Sequence, residues 1–93
     1  MQLTVPVTGE FEMARTFTVE PELERALAKP GLERLTVDLS GTTFIDSTGM
    51  GVILRLASDA ETRGVELDIV PGPPEVQRVF ETAGLADALP FQH

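Results

Sequence analysis

The chain opens with apolar residues at every second position. Leu3, Val5 and Val7 alternate with Thr4, Pro6 and Thr8, the period of a strand with one face buried. Pro6 falls in the polar phase and has no N–H to give a ladder, which predicts a strand at or near a sheet edge. Gly9-Glu10-Phe11-Glu12 reads as a turn out of that strand. Val19, Leu23, Ala26 and Leu27 then recur at helical spacing, with Glu20, Glu22, Glu24 and Arg25 between them. Pro21 suits a first helical turn, so the helix is expected to begin close to it and to run to about Lys29, where Pro30-Gly31 stops it. Leu35, Val37 and Leu39 alternate with Thr36 and Asp38 as a second strand. From Thr48 to Arg63 the apolar residues Met50, Val52, Ile53, Leu54, Leu56, Ala57 and Ala60 cover a broad arc, which predicts a mostly buried helix with a narrow polar stripe. On that stripe, Arg55 with Asp59 and Asp59 with Arg63 have the spacing of ion pairs. Gly64 is placed for a left-handed cap. Val65, Leu67 and Ile69 form a third alternating run. Pro71-Gly72-Pro73-Pro74 turns the chain into a last helix, which carries Val76, Val79 and Phe80 inward and ends at Gly84 with Leu85 beside it. Ala88 to Phe91 could add a short final strand.

The order β-α-β-α-β-α-(β) predicts an α/β fold: one small domain over residues 1–93, with a mostly parallel or mixed four-stranded sheet. Because the strands alternate, helices should cover mainly one face of the sheet and leave the other polar. Ninety-three residues, 42% of them hydrophobic, suffice for one core and no more. There is no cysteine, which excludes disulfides and thiolate chemistry, and the lone histidine, His93, is terminal. Fifteen acids against seven bases give a net charge of −8, a surface that repels phosphate backbones and anionic lipid. Nucleic acid is thus not an expected partner. No signal peptide and no apolar run of about 20 residues is present, so a soluble, cytoplasmic protein without membrane insertion is expected.

Candidate chemistry gathers in Phe44-Ile45-Asp46-Ser47-Thr48-Gly49-Met50-Gly51, between the second strand and the long helix. Asp46 and Ser47 are both good N-cap residues. Gly49 and Gly51 ask for a further reason, since glycine inside a helix costs about 1 kcal/mol relative to alanine; close backbone approach or a bare surface would supply one. A helix start also favours negative charge, so a phosphate on Ser47 would be tolerated there. Catalysis by Ser47 itself is not expected, because no histidine or lysine lies near it in sequence to act as base, and no phosphate-binding Gly-rich loop with lysine occurs. No metal or other cofactor is expected either.

Leu35-Thr36-Val37-Asp38-Leu39, the stretch from Phe44 to Leu54, and Val76 to Leu85 resemble, in this order, the core of the STAS domain as found in bacterial anti-sigma factor antagonists. Gly9-Glu10-Phe11-Glu12 is similar to the Gly-Glu-apolar-Asp turn of that family. The resemblance implies a non-enzymatic regulator of transcription that works by partner switching. Its unphosphorylated form would bind an anti-sigma factor that is also a serine kinase, phosphorylation of Ser47 would release that partner, and a serine phosphatase would restore it. Thr48 is the secondary acceptor. Asp46, Ser47, Thr48, Gly49, Gly51, Val52 and Arg55 are the implied partner-binding residues, with Val52 equally readable as core. The alternative is a phosphorylation-independent STAS adaptor subunit, of a stressosome-type complex or a lipid-transport ATPase. Measured against the family, the chain lacks the usual first strand and last helix, Glu12 stands for an aspartate, and Pro21 falls where the first helix is generally continuous. An uncovered sheet edge would invite a homodimer.

Overall fold

The computed structural model describes residues 1–92; His93, whose terminal position was noted above, lies outside them. Eight elements follow in order: β1 (Gln2–Pro6), β2 (Gly9–Phe11), α1 (Met13–Leu27), β3 (Arg34–Asp38), β4 (Thr42–Ile45), α2 (Ser47–Arg63), β5 (Glu66–Val70) and α3 (Pro74–Thr82). β1, β3 and β5 form one parallel sheet in the order β1-β3-β5, and β2 pairs with β4 in a second, also parallel. The alternation read from the sequence becomes two faces. Leu35, Leu67, Val5, Val37 and Ile69 are buried in register on one. Thr4, Thr36 and Asp68, and Gln2, Arg34 and Glu66, line the other, where Arg34 bonds Asp68 and, at 2.9 Å, Glu66. Pro6 ends β1, which pairs only with β3, so the expected edge position holds.

β2 and β4 are strands that the hydrophobic pattern did not announce. Gly9, at φ 78°, turns the chain out of β1, and the buried Thr42 hydroxyl donates to Val7 O at 2.5 Å to tie the crossing. Residues 88–91, expected as a short strand, supply only a bridge: Phe91 lies parallel beside Ile69, with Ile69 N–H donating to Pro90 O and Gln92 N–H to Ile69 O. Phe91 meets Phe80 edge-on at 5.0 Å, closing the core beneath α3.

Three expectations shift. First, α1 starts at Met13 and not near Pro21. Glu12 caps it, its carboxylate accepting from the N–H groups of Ala14 and Arg15 at 3.2 and 3.1 Å. Pro21 lies inside the helix, where its missing donor leaves only the carbonyl of exposed Phe17 without the usual bond. Second, Leu54 is exposed, so the buried arc of α2 is narrower than its apolar one. Third, Arg55 pairs with Glu20 of α1 and not with Asp59, because a bidentate carboxylate across the α1–α2 groove outcompetes a neighbour on its own helix. Gly64 closes α2 at φ 69°, with Val65 N–H reaching back to Ala60 O, as a left-handed cap requires.

Candidate functional site at the start of the long helix

Parallel pairing of β2 with β4 sets Phe11 beside Ile45, so both strands deliver a helix start to the same place. Asp46 follows Ile45 in extended conformation and caps α2. Its Oδ1 accepts from Gly49 N–H at 2.9 Å and from the Thr48 hydroxyl at 2.5 Å, while its Oδ2 accepts from Met13 N–H, the first residue of α1, at 3.1 Å. One carboxylate thus satisfies orphan amides of two helices. The Thr48 hydroxyl above all, then the Gly49 and Met13 amides, stabilise its charged form and hold the Asp46 carboxyl below the ordinary carboxylate range.

The two glycines have separate reasons. A Cβ at Gly49 would stand 2.5 Å from Phe11 O and 3.0 Å from Ile45 Cγ1, so α2 rests on the β2–β4 pair only because position 49 is bare. At Gly51 a Cβ would meet nothing but the guanidinium of Arg55, Nη1 at 3.3 Å. Close backbone approach explains one glycine and a bare surface the other.

The expected site residues therefore divide. Ser47 is exposed, and among the described residues its hydroxyl makes no hydrogen bond, whereas that of Thr48 is committed to Asp46. Gly51 and Arg55 share the outer side of the helix with Ser47. Gly49 is buried. Val52 is 1% exposed and packs in the core, which removes its side chain from the candidate contact surface: it follows Gly49 and precedes Leu56 on the inward stripe. Around the site lie residues that sequence reading did not count among the partner contacts. Met13 and Phe17, one turn apart on α1, and Phe44 on β4 are large apolar side chains in solvent, at 57%, 77% and 51% exposure. Phe44 carried a signal: it alternates with inward Ile45 and must face the other way. Among the described residues no cluster of acids and histidine could hold a metal, and no helix is long and apolar enough to cross a membrane.

Comparison with known proteins agrees with this geometry. The family model for the STAS domain matches residues 2–93. The chain is 27% identical over 89 residues to the anti-sigma F factor antagonist of Paenibacillus polymyxa, covering 96% of this chain and 76% of that one. It is 30% identical over 87 residues to the anti-sigma-B factor antagonist of Listeria monocytogenes, covering 94% and 75%. Among solved structures, the anti-sigma factor antagonist SpoIIAA superposes with a TM-score of 0.79 in its unphosphorylated form, over 99% of this chain and 81% of that one. For the phosphorylated form from Bacillus the TM-score is 0.70, over 97% and 81%. Sequence identity is 17% in both cases, so these likenesses speak to the fold.

Proposed function

The chain belongs to the STAS domain family, and from that premise we propose that it is an anti-sigma factor antagonist whose partner surface is switched by phosphorylation of Ser47. The observation that carries this is the unequal fate of two neighbouring hydroxyls: Thr48 is held by Asp46, and Ser47 stands free in solvent at the start of α2. Relatives named as antagonists favour the switch over a constant adaptor.

In the proposed cycle the unphosphorylated form docks on an anti-sigma factor that is also a serine kinase, in the cytoplasm, and the sigma factor is freed. Ser47 Oγ then attacks the γ-phosphorus of the kinase's ATP. The new O–P bond forms as the β–γ bridge breaks, ADP leaves, and the hydroxyl proton passes to a base on the kinase. A phosphatase hydrolyses the ester and restores the hydroxyl. This chain supplies no base of its own: Asp46 lies beside Ser47, but its proton affinity is lowered and both its oxygens accept hydrogen bonds.

Phosphorylation adds about −1.5 to −2 charge. At the start of α2 the helix dipole returns roughly 0.3–1 kcal/mol, while an unmatched charge in a protein interface costs several kcal/mol. The interface effect wins, so the modified domain stays folded and its partner leaves. Met13, Phe17 and Phe44, with Ser47, Gly51 and Arg55, form the proposed docking face, apolar anchors beside the switched hydroxyl. Ser47→Ala is expected to bind the cognate kinase persistently and Ser47→Glu to bind it at least tenfold more weakly, measured by calorimetry with the purified pair. Equal affinities would refute the switch.

A further inference from the structure

Arg55 lies two turns beyond Ser47 on the same side of α2, and its side chain leans back toward the helix start, as helical side chains do. Nη1 comes to rest over Gly51, 3.3 Å from where a Cβ would stand. The gap from that point to Ser47 is one helical turn, about 5–6 Å between Cβ positions. Position 51, which lies between them on that face, contributes no side chain to the path. Meanwhile Nε and Nη2 donate to Glu20 on α1, at 2.8 and 3.2 Å. Glu24 from α1 and Asp59 from α2 line the same crevice. The Arg55 side chain is 61% exposed and that of Glu20 26%, so the guanidinium is open to solvent and water screens part of its hold on Glu20.

Resting on the reading of Ser47 as phosphate acceptor, we propose that Arg55 is the phosphate's intramolecular receptor: on modification its guanidinium leaves Glu20 and clasps the phosphoserine across the bare surface of Gly51. A dianion with three acceptor oxygens outbids a single carboxylate for a planar guanidinium. The exchange has a second effect. It releases the Glu20 carboxylate beside Glu24, so a partner meets altered charge on α1 as well as on α2. Phosphorylation would then be read over a wider surface than one serine.

The test uses the full chain with phosphoserine installed genetically at position 47, so that no kinase is needed. Phosphorus NMR follows the second ionisation of the phosphate as pH is varied. Arg55→Gln is expected to raise that pKa by about half a unit relative to the parent chain, the discounted effect of losing an exposed cation. Glu20→Gln, which frees the guanidinium, is expected to lower it. Arg55→Lys should fall between parent and Arg55→Gln. Circular dichroism of each variant verifies that the fold is kept. Coincident pKa values in the parent, Arg55→Gln and Glu20→Gln chains would overturn the clasp and leave the helix end alone as the phosphate's support. An absence of phosphate on Ser47 in cells would instead count against the acceptor role, so the two failures are distinguishable.

Discussion

The first two turns of α2 present an inner and an outer face that obey different rules, although they are drawn from the same few residues. Inside, Gly49 and Val52 are fixed by contact: the backbone of Phe11 presses on one and the core encloses the other. Outside, Ser47 and Gly51 are marked by what is absent among the described residues, a partner for the hydroxyl and any neighbour of the glycine but the end of the Arg55 side chain, which is itself held from α1 by Glu20. The inner face is thus where substitution should cost stability, and the outer face is where it should change recognition. Asp46 lies between them and serves both.

The sharpest way to break this contrast is Val52→Glu. An unpaired charge in the core should cost about 4 kcal/mol or more, seen as loss of cooperative unfolding in urea; a folded variant that merely lost its partner would move Val52 to the outer face. Gly49→Ala comes next. Its Cβ has no room against the Phe11 carbonyl, so a loss of about 3 kcal/mol is expected from the urea midpoint. Asp46→Ala should cost about 2 kcal/mol, since caps on two helices go together. The same carboxyl has a pH signature. Its folded-state pKa lies below its unfolded value, ordinarily about 3.9, so its contribution is whole above that value and is lost as pH falls through the folded-state pKa. Asp46→Asn should flatten the stability profile in that acid range, measured by denaturation at successive pH values. Gly51→Ala is the smallest effect and has the opposite sign. Arg55 can move aside, so the helix should gain about 0.5–1 kcal/mol in thermal unfolding. If Gly51→Ala destabilised as much as Gly49→Ala, the two faces would be one.

The contrast was partly legible before the structure. β1, β3, β5, α2 and its Gly64 cap were readable because their alternation follows burial. β2 and β4 were not. One has three residues, and in the other only the two ends, Thr42 and Ile45, point inward. α1 misled for a related reason: Met13 and Phe17 are apolar but exposed, so the buried helical stripe begins only at Val19, and Pro21 then looked like an entrance. At the site, the two glycines showed as anomalies, yet their separate causes lie in Phe11 and Arg55, residues that only the fold brings to them. Glu20 is 35 residues from Arg55, beyond any local spacing rule. The inequality of Ser47 and Thr48 depends on one rotamer and has no trace in composition.

The parallel pairing of the strands has a further consequence, for the order in which the chain assembles. Leu3 pairs with Leu35 and Leu35 with Leu67, an interval of 32 residues each time. No hairpin between neighbouring strands can nucleate this sheet, and each ladder must wait until the segment between its strands has shortened into a helix. The helices that do so are α1 and α2, and the Asp46 carboxylate accepts hydrogen bonds at the start of both. Asp46, beside the proposed phosphate acceptor, therefore also sits where the two crossovers come together, so a substitution there that perturbs the proposed switch should slow refolding as well.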